Sequence, residues 1–295
     1  MAVRIGINPL TWTNDDMPEL GGATPLETCL SEAKQAGYAG VELGNKFPRT
    51  SAKLRPILDR HALKLVSGWY SARLLERSVA DEIAAVEDHL KLLSDMGATA
   101  MVFAEVTFCV HGDRESAVSK RPKLKRADWT ALGKAMTEVA AHLQSRGVRM
   151  AYHHHMGTVV ESEADIDALM AHTGPEVGLL LDTGHLTYAG GDPIAVVRRH
   201  GKRINHVHCK DVRPAVLKAA KAADKSFLGS VLDGVFTVPG DGSIDYTAVL
   251  GALKKVGYAG WLVVEAEQDP AKAHPLTYAR MGFEHLKTTV AAVGL

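Results

Sequence analysis

The chain has 295 residues, and its 34 lysine and arginine side chains balance 34 aspartate and glutamate side chains, so its formal charge at pH 7 is zero. This balance argues against nucleic-acid binding as the main function, and a hydrophobic share of 46% excludes wholesale disorder. The length fits two small domains or one large α/β barrel. The cysteines Cys29, Cys109 and Cys209 are too far apart to indicate a disulfide framework or a zinc ribbon.

Eight short apolar runs recur along the chain, and their length and composition predict buried parallel strands. They lie at 4–8, 40–43, 63–67, 100–104, 148–153, 177–181, 204–209 and 261–265. Stretches with a helical pattern separate them, notably at 25–35, 79–95, 129–145 and 246–255. The regular alternation of strand and helix predicts an α/β fold.

Glycine marks the predicted helix ends, at Gly37, Gly97, Gly147 and Gly257. The tetrapeptide Gly-Tyr-Ala-Gly occurs at 37–40 and again near the other end of the chain, which favours a closed ring over an open sheet. Eight such units predict one domain over 1–295, a single (β/α)₈ TIM barrel with loop insertions at its C-terminal face. The absence of Gly-x-Gly-x-x-Gly after the first strand disfavours a dinucleotide-binding fold.

Two segments interrupt the alternation. The segment 105–127 contains a basic run at 120–126 without interleaved aromatics, so we interpret it as a solvated loop rather than a nucleic-acid site. The segment 214–229 has the pattern of an inserted helix. Both follow carboxyl ends of strands, where barrel active sites lie, so both are predicted lids over the barrel mouth.

Polar side chains follow the last four strands in succession. They are His153, His154 and His155, then Asp182 and His185, then His206, His208 and Lys210, and finally Glu265 and Glu267. Mixed imidazole and carboxylate ligands suit a divalent ion such as Mn²⁺, Co²⁺, Zn²⁺ or Fe²⁺. Strand alternation does not choose within the pairs at 206 and 208 or at 265 and 267. Histidines outside this group are expected at the surface, at positions 61, 89, 142, 172 and 200.

No run of 18 apolar residues occurs, and Arg4 and Pro9 interrupt the first apolar stretch, so neither a membrane span nor a signal peptide is predicted. Together with the scattered cysteines, this makes a cytoplasmic protein the expectation.

Several segments resemble the inosose dehydratases, a branch of the xylose isomerase-like TIM barrels. The segments that carry the resemblance lie at 7–12, 14–16, 19–22, 40–48 and 152–158. More general signals of the wider family are Leu-Asp-x-Gly-His, Val-His-x-Lys-Asp and a Val-Glu pair near the end of the chain. The resemblance runs over essentially the whole chain.

The resemblance implies a divalent metal, Mn²⁺ or Co²⁺, with one ligand from each of the last four strands. Asp182, His208 and Glu265 match three of the family's positions. The fifth-strand ligand of the family is usually a glutamate, whereas this chain has His153 there, with His155 as the alternative. Glutathione is implied as a further cofactor by the resemblance alone.

The implied reaction removes water from 2-keto-myo-inositol (scyllo-inosose) to give a trihydroxycyclohexane-1,2-dione in inositol catabolism. The expected proton-transfer residues are His185 or His155, with Lys210 beside them. The expected substrate-binding residues are Asn8, Trp12, Asn14, Glu42, Lys46, His154 and Glu267.

Three other functions compete with this interpretation. A metal-dependent isomerase or epimerase would use the same site and return the proton elsewhere. An apurinic-site DNA endonuclease would need a basic surface, which the net charge disfavours. A non-catalytic sugar-binding barrel would not need an intact ligand set. The expected partner is therefore a small ketocyclitol, with no nucleic acid and no membrane, and a homo-oligomer is left open.

Overall fold

The computed structural model describes residues 3–295 and contains a closed barrel of eight parallel strands, as predicted. The strands in chain order are β1 (Arg4–Ile7), β2 (Gly40–Leu43), β3 (Lys64–Ala72), β4 (Ala100–Glu105), β5 (Arg149–His153), β6 (Val177–Asp182), β7 (Ile204–Cys209), β8 (Asp211–Val212), β9 (Phe236–Thr237) and β10 (Trp261–Val264). The order around the barrel is β1-β10-β7-β6-β5-β4-β3-β2, and β8 and β9 form a separate antiparallel pair.

Helices follow the strands and pack around the barrel. They are α1 (Leu26–Ala36), α2 (Ser51–Arg60), α3 (Val79–Met96), α4 (Arg126–Ser145), α5 (Glu163–His172), α6 (Thr183–Ala189), α7 (Pro193–His200), α8 (Pro214–Ala222), α9 (Phe227–Leu232), α10 (Tyr246–Lys255) and α11 (Pro275–Val293). Within residues 3–295, no helix has the length and apolar character needed to cross a membrane.

The predicted strand and helix positions agree with the structure to within a few residues, with two exceptions. The strand β3 continues to Ala72, because residues 69–72 pair with β4 beyond the predicted end at 67. The predicted single helix at 214–229 is two helices, α8 and α9, separated at Asp224, whose φ is 44°. Ser226 then caps α9 by accepting a hydrogen bond from the Gly229 amide.

Gly37 shows why the helices end at glycine. It caps α1 with a φ of 109°, a conformation that side chains rarely adopt. A Cβ atom at this position would also lie 2.5 Å from the ring of Phe283 in α11, so the glycine allows the two helices to pack.

The two insertions contact each other beside the barrel mouth. A β-bridge joins Ala117 to Ser226, and the Ser119 hydroxyl donates to Asp224. The basic run is only partly solvated, contrary to expectation. Arg121 is nearly buried because its guanidinium pairs with Asp165 and Glu161 at the start of α5, whereas its lysine neighbours in the run are exposed.

Alternation along the strands divides the barrel interior into two layers. The lower layer is largely apolar, with Val102, Ala151 and Leu180 among its members, and His206 lies at the level of Leu180. Two residues further along β5 and β6 are His153 and Asp182, which are buried in the upper layer. The fold therefore brings the polar residues together at the carboxyl end of the barrel.

Candidate active site

A cavity of about 250 Å³ opens at the carboxyl ends of the barrel strands. Seven of the predicted site residues line it, namely Asn8, Glu42, His153, His155, His208, Glu265 and Glu267. The position agrees with that of active sites in (β/α)₈ barrels.

Four side chains form a tight group beside this cavity, here called the rim cluster: His153, Asp182, His208 and Glu265. One potential ligand atom from each lies within 4.8 Å of those from the other three. The Asp182 Oδ2 atom is 3.5 Å from both His153 Nε2 and His208 Nδ1, and His208 Nδ1 is 3.1 Å from Glu265 Oε2. All four side chains are buried.

The rim cluster fits a divalent ion because its inward-facing atoms lack hydrogen bonds. Asp182 Oδ2, His208 Nδ1 and Glu265 Oε2 are buried and make no hydrogen bond, although the Lys210 ammonium lies 3.0 Å from Glu265 Oε2. His153 directs Nδ1 to the His154 carbonyl oxygen at 2.7 Å, which leaves the Nε2 lone pair free. Buried carboxylates are costly unless a cation or hydrogen bonds satisfy them, and two imidazoles with two carboxylates are ligands that divalent transition metals accept.

The structure places His153, and not His155, with the other three rim residues. The ring of His155 belongs to a second group with His185 and Glu267, whose ligand atoms also lie within 4.8 Å of one another. The ring centroids of His155 and His185 are 4.0 Å apart.

Lys210 occupies the centre of this second group, which we call the lysine cluster: His155, His185, Lys210 and Glu267. The Lys210 Nζ atom lies 2.8 Å from His185 Nε2 and 2.5 Å from Glu267 Oε2. It also lies 3.0 Å from Glu265 Oε2, so it links the two clusters. A fixed ammonium group therefore takes the position that a second cation would need.

Burial and neighbouring charges shift the pKa values in the lysine cluster. Burial, with help from nearby histidines and Lys210, lowers the pKa of His155 well below its ordinary value, so this ring is neutral near pH 7. Burial alone would lower the pKa of Lys210, but the Glu265 and Glu267 carboxylates raise it above its ordinary value. Burial raises the pKa of Glu267 to about 7, although the Lys210 ammonium opposes that rise.

Trp12 does not line the cavity, in contrast to the prediction that it contacts substrate. Its ring lies in the hydrophobic core, and its indole N–H donates to Glu32 Oε2 at 2.6 Å. The backbone turns into a short 3₁₀ helix at Pro9–Thr11, which carries the next side chain away from the barrel mouth.

Asn14 and Lys46 shape the loops at the mouth instead of lining the cavity. The Asn14 side-chain oxygen accepts hydrogen bonds from the Asp16 and Met17 amides, both at 2.9 Å. Lys46 donates to backbone carbonyl oxygens at Gly21, Gly22 and Thr24. Both predicted substrate contacts are therefore structural contacts of the loop that follows β1.

His154 is also placed away from the cavity. It is fully buried, and its Nε2 atom accepts a hydrogen bond from the Asp182 amide at 3.3 Å. Burial lowers its pKa to about 3, so the ring stays neutral. Its neighbours at 153 and 155 lie on the cavity side of the chain, where alternation places them. His185 and Lys210 lie behind the cavity wall and reach it through His155 and Glu267.

Several cavity residues were missed by the sequence interpretation. They are Asp15, Asp16, Asn45, Arg49, Trp69 and His111. Trp69 is 37% exposed, and its ring makes T-shaped contacts with His153 and His155 at centroid distances of 5.4 and 5.6 Å. Burial raises the pKa of Asp15 to about 6. The sequence offered one indication of three of these residues, since Asp15 and Asp16 follow the predicted contact Asn14 and Asn45 precedes the predicted contact Lys46. It did not show which neighbour faces the cavity.

Comparison with known proteins identifies the class to which the fold and site belong. Residues 30–289 match the xylose isomerase-like TIM barrel family, and the chain belongs to that family. A solved structure of L-ribulose 3-epimerase has a TM-score of 0.69 at 17% identity, covering 99% of this chain and 96% of that one. This likeness concerns the fold alone.

Within the family, the predicted resemblance to the inosose dehydratases is confirmed. The inosose dehydratase of Geobacillus thermodenitrificans (strain NG80-2) is 42% identical over 289 residues, which are 97% of each chain. The rhizopine catabolism protein MocC of Rhizobium meliloti is 55% identical over 294 residues, which are 100% of this chain and 90% of the relative.

Proposed function

We propose that this protein is a metal-dependent dehydratase that removes water from 2-keto-myo-inositol to give a trihydroxycyclohexane-1,2-dione in inositol catabolism. The observation that carries the proposal is the similarity of nearly the whole chain to an inosose dehydratase. The rim cluster beside the cavity supports it. The proposed partner is accordingly a small ketocyclitol.

The rim cluster would hold the ion, for which we propose Mn²⁺ or Co²⁺, through His153, Asp182, His208 and Glu265. When bound, a divalent ion supplies Lewis acidity, which makes a proton beside a ketone easier to remove. Carboxylate and imidazole ligands suit these borderline ions better than soft thiolate metals.

Dehydration needs a base for the proton beside the ketone and an acid for the departing hydroxyl group. His155 is our choice of base: it lines the cavity, is neutral near pH 7, and donates Nδ1–H to the Met156 carbonyl at 2.9 Å, which leaves Nε2 able to accept a proton. Glu267 lines the cavity and is joined to His185 by Lys210. This arrangement supports the lysine cluster as the source of the proton that leaves with the hydroxyl group.

The cavity walls offer two kinds of contact to a ring with many hydroxyl groups. Asp15, Asn45 and Arg49 lie on one part of the lining and supply acceptors and donors for hydroxyl groups. Trp69 supplies an apolar face, and its indole N–H is already bonded to the Ser71 hydroxyl at 2.7 Å. These contacts replace the expected roles of Trp12, Asn14 and Lys46.

Product analysis tests the proposal. Metal-free protein is reloaded separately with Mn²⁺, Co²⁺ or Mg²⁺ and incubated with 2-keto-myo-inositol in D₂O, with and without glutathione, and the products are identified by mass. We expect the substrate to lose one water molecule in the metal-reloaded samples and none in the metal-free sample. Glutathione rests on the family resemblance, and activity without it would remove it from the account.

The same assay separates the runner-up. An unchanged composition with incorporation of solvent deuterium would show that the proton is removed while the hydroxyl group stays, which is isomerase or epimerase chemistry. Neither loss of water nor deuterium incorporation would overturn the proposed substrate.

The second candidate function is a step in rhizopine catabolism. It is favoured by the 55% identity to MocC, which is named for that process. This candidate would use the same cavity and the same two clusters. Loss of water from 2-keto-myo-inositol at a rate typical of enzymes would favour the dehydratase, whereas absence of turnover would direct the search to rhizopine-derived substrates.

A further inference from the structure

Glu42 was expected to bind substrate, but both of its carboxylate oxygens already accept hydrogen bonds. Its Oε1 atom accepts from the Ser67 hydroxyl, from His206 Nε2 at 2.8 Å and from His208 Nε2 at 3.1 Å. Its Oε2 atom accepts from Asn8 Nδ2 at 2.7 Å. The side chain is 3% exposed, so little of it is free to contact a ligand.

The contact with His208 determines which ring nitrogen faces the rim cluster. Because Nε2–H donates to Glu42, Nδ1 is the ring nitrogen that would coordinate a metal ion, and it lies 3.1 Å from Glu265 Oε2 and 3.5 Å from Asp182 Oδ2. A histidine that donates its second N–H to a carboxylate is a more basic and better oriented metal ligand.

Asn8 extends this arrangement to a second ligand. Its side-chain amide also donates to Glu265 Oε1 at 3.0 Å. One oxygen of Glu265 is therefore fixed by Asn8, while its other oxygen, Oε2, faces the rim cluster and lies 3.0 Å from Lys210 Nζ. The Asn8 oxygen accepts from the Leu10 amide at 3.0 Å, which holds the amide group in this orientation.

We propose that Glu42 is a positioning residue for the metal centre: it orients His208 directly and Glu265 through Asn8. This inference rests on the proposed function of the rim cluster as a metal site. It assigns Glu42 no contact with substrate and no part in proton transfer.

The test is a titration of metal-free protein with Co²⁺, followed by visible absorption, for the wild type and Glu42→Gln. Glutamine has only one acceptor oxygen, and an NH₂ group replaces the other. At least one of the four groups that donate to Glu42 would therefore face the NH₂ group and lose its hydrogen bond. We expect Co²⁺ to bind about 10- to 100-fold more weakly and the absorption bands of the bound ion to shift.

Glu105→Gln is the matched control. Glu105 is a fully buried carboxylate at the end of β4 that accepts hydrogen bonds from the Leu74 and Thr107 amides and makes no hydrogen bond or ion pair with a rim residue. This variant should lose stability without a change in Co²⁺ affinity or spectrum. Asn8→Ala is the second variant: it removes the Asn8 contacts with Glu42, Glu265 and the Leu10 amide, leaves the contact between Glu42 and His208 in place, and should also weaken Co²⁺ binding.

The outcomes separate this inference from the proposed function. A wild type that binds no Co²⁺ would contradict the metal site itself, and the inference with it. A wild type that binds Co²⁺, together with Glu42→Gln of the same affinity and spectrum, would overturn the positioning role alone. Should Glu42→Gln fail to fold, Asn8→Ala decides: unchanged Co²⁺ affinity in that variant would overturn the proposal.

Discussion

The lower and upper layers of the barrel are built on the same strands but are packed by opposite rules. On β6, Leu180 is fully buried among Ala100, Val102 and Ala151. Two residues later, Asp182 is equally buried, but its Oδ2 atom has no hydrogen-bond partner. Closed apolar packing stabilises a fold, whereas buried polar atoms without partners cost stability unless a ligand satisfies them.

The difference indicates that the upper layer contributes less to stability than the lower layer and provides the atoms that can bind a ligand. Hydrogen bonds support the upper layer from beneath, as at Glu42, but its cavity-facing atoms are left available. Substitutions in the upper layer should therefore change binding and turnover, and substitutions in the lower layer should change the free energy of unfolding.

Asp182→Asn should have the largest effect. Asn keeps the oxygen that accepts from the His185 amide at 2.8 Å and caps α6, and it removes the charge from the rim cluster. A Lewis-acid contribution of several kcal/mol would be lost, so turnover should fall on the order of 10³-fold. Steady-state kinetics of the Mn²⁺-loaded variant measures this loss.

Asp192→Asn is its control, because Asp192 caps α7 through the Ile194 amide and lies outside the cavity. Both metal-free variants should melt at similar temperatures. Retained turnover in Asp182→Asn would break the division between the layers.

Leu180→Ala should reduce the free energy of unfolding by about 3 kcal/mol, because it opens a cavity in the apolar lower layer. Denaturant unfolding of the metal-free protein measures the change. Metal affinity should change little, since the Leu180 side chain packs in an apolar cluster with Ala100, Val102 and Ala151. A large loss of metal affinity with little loss of stability would show that the layers are not separable.

His155→Gln should lower kcat about 10²-fold, the usual contribution of a general base, while one metal ion still binds per chain. His185→Gln should have a smaller effect, because His185 lies behind the cavity wall. His142→Gln is a control on α4, where His142 pairs with Glu87. If kcat falls more in His185→Gln than in His155→Gln, the roles proposed within the lysine cluster are wrong.

The smallest expected effect concerns His89, on α3 outside the barrel, whose Nε2 atom is buried, contrary to the expected surface position. Burial lowers its pKa below the ordinary value of 6.5, so the unfolded chain binds a proton more readily than the folded one. The free energy of unfolding therefore falls as the pH is lowered through 6.5. Denaturant unfolding between pH 7 and pH 5 should show a shallower decline in His89→Gln than in the wild type, and identical slopes would contradict the assignment.

The sequence predicted the barrel and the upper layer well, because both depend on local alternation. Strand ends and residue type indicated the group of polar side chains, and the family resemblance selected His153, Asp182, His208 and Glu265 among them. The structure brings these four together. Parity left His206 and His208 undecided; both face inward at different depths, and His206 meets Glu42 below the rim cluster.

The loop residues were harder to place, because long-range contacts set the path of each loop. Lys46 was expected in the cavity, but carbonyl groups of the loop that follows β1 hold its ammonium, and Arg49 lies in the cavity lining. Trp12 and Trp69 show the same limitation. The first is packed in the core, and the second reaches the cavity because β3 extends beyond its predicted end.

The location of the bound ion tests the central claim most directly. Crystals of the protein soaked with Mn²⁺ should give one strong anomalous difference peak among His153 Nε2, Asp182 Oδ2, His208 Nδ1 and Glu265 Oε2. A peak in the lysine cluster instead, or none at saturating Mn²⁺, would contradict the assignment of the rim cluster as the metal centre.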